Sequence, residues 1–355
     1  MPRKGVVVVP SRALAERAHE GAPGTQHIAN RPIICHVLDA LRDAGTTELA
    51  VIAATDVIAE VRASIEGDPT RNGHAPHVTY LAHGGHGDPP DAVAAASAFV
   101  GNDACVLHWA DGLVGQPLAP FTELFEANQP DFLLLVCASS DNGNRLDGEL
   151  QRILGIAELN GARSRLGVAG ICMFGPNMLQ RSCTASSDAD PELDLVAVAE
   201  QLADNGDRLH VGQVRTWRRY RGNPSDLLEL NRIVLDQLAV SAEPFSNGDN
   251  RVEGRVEIHP TAQVSGSVIV GPCIIGAGAC VTSSYIGPYT SIGVDARIEG
   301  AEIERSIILD EARVMYVSGR IEASTVGRRA SIFRDFGLPR AMRLHVGEDV
   351  EVALI

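Results

Sequence analysis

The chain has 355 residues, which is long enough for two domains that each bury a core. Its hydrophobic content of 45% and charged content of 21% are ordinary for a globular protein. The formal net charge of −15 argues against nucleic acid and anionic membranes as partners, because both attract basic faces. Lysine and arginine total 30, yet only Lys4 is a lysine, so a site that needs a lysine has one to draw on.

Apolar runs and cysteine usage indicate a cytoplasmic protein. The run over 6–9 is far too short for a secretion signal, and no window approaches the length of a membrane span. The seven cysteines are odd in number and include no CxxC pair, so we expect buried, reduced thiols. Their apolar surroundings disfavour a nucleophilic role for Cys35 or Cys172.

Residues 1–240 alternate apolar strand patterns with helical patterns, which is typical of a mostly parallel α/β sheet. Apolar runs predict strands over 5–9, 49–53, 77–81, 104–109, 132–137 and 167–174. Apolar residues at helical spacing predict helices over 32–44, 57–65, 90–99, 120–127 and 193–205. We therefore expect one α/β domain over 1–240.

The pattern changes after that point. Residues 241–254 are polar and rich in turn formers, which predicts a linker. Within 255–355, small apolar residues recur in three groups with a six-residue step inside each group, often with glycine next: Val264 and Val270; Ile275 and Val281; Ile286, Ile292 and Ile298. This step predicts a parallel β-helix in which each of these side chains points toward the coil axis. A β-sandwich with regular turns would not keep the step.

Motifs spread over nearly the whole chain resemble one enzyme family. They are Ala29-Asn30-Arg31-Pro32-Ile33, Trp109-Ala110-Asp111-Gly112, and the segments 167–176, 217–238 and 318–344. Together they resemble the long form of the glucose-1-phosphate thymidylyltransferases. The resemblance implies a Rossmann-like nucleotidyltransferase domain with a mostly parallel sheet, followed by a left-handed β-helix. It also implies a homodimer or homotetramer.

The chemistry of that family sets which residues the resemblance should supply. A sugar-phosphate oxygen attacks the α-phosphate of a nucleoside triphosphate, and pyrophosphate leaves. The family neutralises the charge with a glycine-rich loop, two lysines, and Mg²⁺ held on two aspartates. The resemblance implies that Asp111 is the first metal aspartate and that the second position falls on Tyr220.

This sequence departs from the family at most of these positions. The loop after the first strand reads Pro10-Ser11-Arg12-Ala13-Leu14-Ala15, without glycine, and Pro10 has no N–H to donate. The lysine positions fall near Gly24-Thr25 and at Glu158-Leu159-Asn160. Asp111 alone is a poor Mg²⁺ site. Arginine could bind phosphate instead, and the candidate ligand-binding residues are Arg12, Trp109, Glu158, Gly170, Arg219 and Tyr220.

A histidine-rich loop stands where the family reads the base. It runs His83-Gly84-Gly85-His86-Gly87-Asp88, and His108 lies on the strand that leads to Asp111. Such a loop could ligate a transition metal or supply a general base, which makes His83, His86, Asp88 and Asp111 the candidate catalytic residues. The plainer interpretation is a solvated glycine-rich loop.

Several functions of one fold stay open. The first is a non-catalytic or regulatory protein that binds a nucleotide, a nucleotide sugar, another small molecule or a heteromeric partner. Coordinated loss of glycines, lysines and one metal carboxylate favours it. The second is a repurposed enzyme of specialised sugar, nucleotide or natural-product metabolism, and the third is an active but divergent thymidylyltransferase. An acyltransferase is not expected, since only His259 lies near the coils, which we expect to serve in oligomerisation.

Overall fold

A computed structural model describes residues 2–10, 21–68, 78–83, 89–138, 166–182, 195–239 and 249–334. The strands of its first half are β1 (Lys4–Val8), β2 (His27–Ile28), β3 (Arg31–Pro32), β4 (Glu48–Ala54), β5 (Val78–His83), β6 (Cys105–Trp109), β7 (Gly112–Val114), β8 (Phe132–Ala138), β9 (Leu166–Phe174), β10 (Leu209–Val214) and β11 (Trp217–Arg219). The helices are α1 (Ile33–Asp43), α2 (Ile58–Glu66), α3 (Pro89–Val100), α4 (Ala119–Asn128), α5 (Met178–Ser182), α6 (Leu195–Asp204) and α7 (Pro224–Leu235).

Seven strands form the central sheet in the order β10-β8-β9-β6-β1-β4-β5. Neighbours pair in parallel except at β9, which runs antiparallel to both β6 and β8. The prediction of a mostly parallel sheet is confirmed. Outside this sheet, β7 pairs with β11 in an antiparallel ribbon, and β2 pairs with β3 in a hairpin.

Helices cover both faces of the sheet, so the architecture has three layers. One buried cluster joins the sheet to α1, α2, α4 and α7, and the other joins it to α3, α5 and α6. The helix α1 shows why the pattern was readable: Ile34, Val37, Leu38 and Leu41 lie on its buried stripe. The sequence did not predict β10, because its alternating pattern includes the polar His210 and Gln213 at a sheet edge.

The second half is a left-handed parallel β-helix, as predicted. Its three five-stranded sheets are formed by β12 (Arg251–Glu253), β15 (Val268–Val270), β18 (Tyr285–Ile286), β21 (Glu302–Glu304) and β24 (Arg320–Glu322); by β13 (Val256–Ile258), β16 (Cys273–Ile275), β19 (Thr290–Ile292), β22 (Ile307–Ile308) and β25 (Thr325–Val326); and by β14 (Gln263–Ser265), β17 (Cys280–Thr282), β20 (Arg297–Glu299), β23 (Arg313–Met315) and β26 (Ser331–Phe333). The first strand begins inside the predicted linker, most of which lies outside the described residues.

The axis of the β-helix is filled by one apolar residue per strand. Ile275, Val281, Ile286, Ile292 and Ile298 are fully buried there, as predicted, and Val264 is partly buried. The prediction for Val270 was wrong, because Ile269 takes the inward position in that strand. Arg251 pairs with Val268, and Val268 with Tyr285, so these first coils have 17 residues rather than 18. One step is therefore five residues long, and it falls between Val264 and Ile269.

Within the described ranges, no helix is long and apolar enough to cross a bilayer.

Candidate functional site

The carboxylate of Asp111 lies at the carboxyl end of the central strand β6. A tight turn at Ala110 and Asp111 leads from β6 into β7. The ribbon partner β11 places Arg219 opposite Gly112, and the backbone N–H of Tyr220 donates to the carbonyl oxygen of Asp111 at 2.9 Å. Two chain segments about 110 residues apart in sequence therefore meet at this carboxylate.

A buried ion pair occupies this position. The Nε of Arg219 donates to both carboxylate oxygens of Asp111, at 2.9 and 2.8 Å. The Asp111 side chain is only 3% exposed and that of Arg219 is 19% exposed. The guanidinium also lies 5.4 Å from the centre of the Trp109 ring. The negative charge of Asp111 is thus compensated by a cation of the protein itself.

The neighbouring residue Tyr220 has a different environment. Its ring is buried in the apolar cluster shared by α1, α4 and α7. Its backbone N–H donates to the carbonyl oxygen of Asp111. A guanidinium, that of Arg219, faces the carboxylate beside the position where the resemblance implied a second metal aspartate.

These residues do not fit the Mg²⁺ that the family resemblance implies. Mg²⁺ binds through one or two carboxylates and phosphate oxygens, with strict octahedral geometry. Here a guanidinium sits on both oxygens of Asp111, and a second cation at that carboxylate would meet its repulsion. Among the described residues, no group of three or more His, Cys, Asp or Glu side chains could hold a metal.

The single lysine, Lys4, caps a helix and lies far from Asp111. The Nζ of Lys4 donates to the carbonyl oxygens of Phe99 and Val100, at 3.0 and 3.1 Å, and lies 3.0 Å from a carboxylate oxygen of Asp103. It thereby satisfies two terminal carbonyl groups of α3. Its positive charge therefore stabilises the end of α3.

The segment expected to carry a lysine instead packs closely beside Asp111. Pro23–Thr25 forms one turn of 3-10 helix, and a Cβ on Gly24 would lie 3.0 Å from the carbonyl oxygen of Ala110. The carboxylate of Glu60 accepts from the Ala22 N–H at 2.8 Å and from the Thr25 hydroxyl at 3.0 Å. A carboxylate therefore stands beside this segment.

Both tryptophans of the chain lie at this end of the sheet. A Cβ on Gly170 would overlap the Trp109 ring and lie 2.8 Å from Trp217 Cζ2. A Cβ on Gly112 would likewise lie 2.6 Å from Trp217 Cζ2. The two glycines are thus required for the close approach of the indoles. Trp217 was not singled out from the sequence, although it opens the segment 217–238 that resembles the family.

His108 is buried against this aromatic pair. Its ring lies 5.8 Å from that of Trp217 in an edge-on arrangement, and its Nδ1 is 2.7 Å from the carbonyl oxygen of Trp109. Its Nε2 has no hydrogen-bond partner in the described part of the chain. Burial lowers the pKa of His108 to about 4, so the ring is neutral at pH 7.

His83 ends β5 and is also buried, and its Nδ1 likewise has no partner within the described ranges. Its carbonyl oxygen accepts from the N–H and the hydroxyl of Thr55, at 3.2 and 2.8 Å. It is separated from His108 by β4 and β1 and lies on the opposite face of the sheet, the face of Leu81. The two histidines cannot share one metal ion.

Four candidates from the sequence, His86, Asp88, Arg12 and Glu158, lie outside the described residues. The structure therefore brings together Asp111, Arg219, Trp109 and Gly170, and adds Trp217 and His108. Cysteine chemistry is also disfavoured within the central sheet. Burial raises the pKa of Cys105 to about 12 and that of Cys172 well above its usual range, so both stay protonated.

Comparison with known proteins points to one family. The chain is 30% identical over 341 residues to a glucose-1-phosphate thymidylyltransferase of Streptomyces antibioticus, covering 95% of this chain and 94% of that one. It is 30% identical over 338 residues to the Streptomyces griseus protein of the same name, covering 93% of each. A low-salt glycan biosynthesis nucleotidyltransferase of Haloferax volcanii is 28% identical over 347 residues, covering 95% of each.

A solved structure agrees at the level of the fold. A Bacillus anthracis protein named as a glucose-1-phosphate thymidylyltransferase superposes with a TM-score of 0.51 at 17% identity, covering 64% of this chain and 93% of that one. No family model matches the sequence.

Proposed function

The chain belongs to the family of glucose-1-phosphate thymidylyltransferases, and from this premise we propose that it has lost Mg²⁺-dependent nucleotidyl transfer. In this proposal it serves as a non-catalytic or regulatory protein that binds a small ligand or a partner subunit. The observation that carries the proposal is the guanidinium of Arg219 on both carboxylate oxygens of Asp111.

The physical argument concerns charge. Nucleotidyl transfer builds negative charge on the leaving pyrophosphate, and the surroundings must stabilise it with preorganised positive charge. The Arg219 guanidinium is bound to both oxygens of Asp111, whereas Mg²⁺ held on carboxylates keeps coordination positions open for phosphate oxygens. Lys4 is used as a helix cap. Among the described residues, the Arg219 guanidinium thus stands where the family binds Mg²⁺, and the one lysine caps a helix.

The proposed ligand is a nucleotide or a nucleotide sugar. Bases and sugar rings are bound in proteins by stacking on large aromatic faces with a few fixed polar groups nearby. Trp217, which is only partly buried, supplies such a face here, and Arg219 on the same strand supplies a polar group. Binding of a protein partner at the same surface is the other form of the proposal.

A metal titration tests the loss of the metal site directly. We expect the wild-type protein to bind no Mn²⁺ in an electron paramagnetic resonance titration, and Arg219→Asp to acquire binding by placing a second carboxylate beside Asp111. Arg219→Ala is the matched control, since it removes the cation without adding a ligand. Tight Mn²⁺ binding by the wild type would overturn the argument from Arg219.

An activity assay separates the proposal from an active thymidylyltransferase. The protein is incubated with dTTP, glucose 1-phosphate and Mg²⁺, and released pyrophosphate is measured. We expect none above a blank. Mg²⁺-dependent release that disappears in Asp111→Asn would mean that the family reaction persists with arginines in place of lysines.

A repurposed enzyme is the second candidate, and His108 is the observation that favours it. A buried neutral imidazole with an unpartnered Nε2 beside two indoles could accept a proton from a bound ligand. Mass spectrometry of nucleotide sugars and sugar phosphates incubated with the protein tests this. A product formed by the wild type but not by His108→Phe would favour the enzyme. Conversion by neither would leave the binding role.

We also propose a cytoplasmic homodimer or homotetramer with domain boundaries at 1–240 and 255–355, joined by the linker 241–254. The sheets of the β-helix offer flat outer surfaces for such contacts. Multi-angle light scattering on the intact chain tests the assembly. A mass equal to one chain at micromolar concentration would remove it.

A further inference from the structure

The hairpin formed by β2 and β3 lies where the α/β half meets the β-helix. Asn231 of α7 is fully buried there. Its Oδ1 accepts from the backbone N–H of Ala29 at 2.8 Å and from the hydroxyl of Ser291 at 3.0 Å, and its Nδ2 donates to the carbonyl oxygen of Tyr289 at 3.1 Å. One amide thus joins the hairpin tip, α7 and the third coil.

The tip makes a second contact of its own with the β-helix. The Nδ2 of Asn30 donates to the carbonyl oxygen of Ile292 at 2.7 Å. Ala29 and Asn30 have φ values of +45° and +64°. Asparagine tolerates this left-handed conformation, but alanine adopts it at a cost, so tertiary contacts must hold Ala29 there. The bond from Ala29 to Asn231 is such a contact.

Further contacts make the junction continuous. After α7, Asp236 accepts from the Arg255 guanidinium and from the Tyr289 hydroxyl, each at 3.1 Å. Ile307 of the β-helix belongs to the buried cluster of the α/β half. The β-helix is therefore packed firmly against the hairpin.

The same hairpin leads directly to the site. Pro23–Thr25 precedes β2, and the backbone N–H of Ile33 donates to the carbonyl oxygen of Gln26 at 2.9 Å, which closes the base of the hairpin. Gly24 then packs on Ala110, the residue between Trp109 and Asp111. Four residues separate Gly24 from the tip.

We infer that the β-helix helps to shape the site. Through Asn231 it positions the segment Pro23–Thr25 against Ala110. Asn231 is a positioning residue in this arrangement and does not touch a ligand. This arrangement shapes the site at Pro23–Thr25 and Ala110 whether or not the site catalyses a reaction. By linkage, what tightens the site also tightens the docking of the β-helix.

The two tryptophans make this testable, because both lie at the site and the chain has no others. We expect Asn231→Ala to raise the quenching of tryptophan fluorescence by iodide. It should also speed amide hydrogen exchange in residues 22–32 by about fivefold, as the loss of one net hydrogen bond gives. Ser291→Ala, which removes one of the two hydrogen bonds between Asn231 and the β-helix, should move both signals in the same direction by less.

Ser284→Ala is the matched control. It removes a buried hydroxyl of the β-helix that hydrogen-bonds only within the coils, to Thr282 and Ala301. It should lower stability and leave quenching and exchange in residues 22–32 at wild-type values. If Asn231→Ala does not fold, Ser291→Ala still tests the inference. Wild-type quenching and exchange in both junction variants would overturn it.

Discussion

The β-helix and the site of the α/β half bury polar groups in opposite ways. In the β-helix the hydroxyl of Ser267 accepts from the backbone N–H of Ser284 at 3.1 Å, and the hydroxyl of Ser284 accepts from that of Ala301 at 3.3 Å. The same solution repeats from coil to coil. At the site, a charged pair and a histidine with an unpartnered nitrogen are each buried once.

The difference shows where sequence change is tolerated. A repeated position in a coil is constrained by the coils on either side, so it keeps its residue type and its pattern stays readable. The site has no such neighbours, and its Asp111–Arg219 pair joins residues 108 positions apart that belong to no repeat. We therefore expect substitutions in the two regions to change the free energy of unfolding by different amounts.

The largest effect should come from Asp111→Ala. It leaves the Arg219 guanidinium buried without its carboxylate, which should lower the free energy of unfolding by about 4 kcal/mol. Urea unfolding followed by tryptophan fluorescence measures this. The control is Arg297→Ala, whose partner Glu299 shares the outer surface of the β-helix and whose own side chain is 59% exposed. It should change stability by less than about 0.5 kcal/mol.

Ile298→Ala should come next. Its side chain is fully buried between Val281 and Val314 of the adjoining coils, and the cavity should cost about 3 kcal/mol. Amide hydrogen exchange in residues 268–315 reports the β-helix, whereas both tryptophans report the α/β half. We expect the two signals to shift together, because the halves share the Asn231 junction. Val268→Ala, at a position 37% exposed, should have little effect, and an equal loss there would contradict the argument from burial.

Acidification should destabilise the protein by a smaller amount. Burial lowers the pKa of His108 to about 4, so between that value and 6.5 the unfolded chain binds the proton and the native protein does not. Stability from this residue is complete above pH 6.5 and should fall by about 2 kcal/mol between pH 7 and pH 5. His36, whose pKa burial also lowers to about 4, acts in the same direction. His108→Phe should flatten the pH profile, and an unchanged slope would count against a buried neutral ring.

The smallest of these effects should come from Ser284→Ala. The substitution leaves the buried N–H of Ala301 without its acceptor and should cost about 1 kcal/mol in urea unfolding. Ser324→Ala is a useful comparison, since its hydroxyl donates to Glu322 at an exposed position. If Ser324→Ala lowered the free energy of unfolding as much as Ser284→Ala, burial would not be the reason that these serine hydroxyls stabilise the β-helix.

Local pattern was sufficient for much of the fold. The strands β4, β6, β8 and β9 and the helices α1 to α4 lie within about two residues of the predicted ranges, because each carries its own apolar period. Of the seven residues predicted to fill the coil axis, five are fully buried. Val270 failed because the five-residue step lies between Val264 and Ile269, whereas the predicted pattern placed it between Val270 and Ile275.

The site was less predictable, because it depends on register. Whether Arg219 or Tyr220 faces Asp111 is decided by how the three-residue strand β11 pairs with β7, and a shift of one residue reverses the faces. No local pattern in so short a strand specifies this. The role of Lys4 as a helix cap likewise depends on the packing of β1 beside α3.

The sequence by itself determined the family, the layered α/β architecture, the β-helix and the scarcity of lysine, since these follow from motifs, periodicity and composition. Only the tertiary structure decided that a guanidinium occupies the Asp111 carboxylate and that the β-helix holds the hairpin beside it. The physical reason is distance along the chain: the bond from Ala29 to Asn231 joins residues 202 positions apart. Such contacts are created by packing, and no local run of residues encodes them.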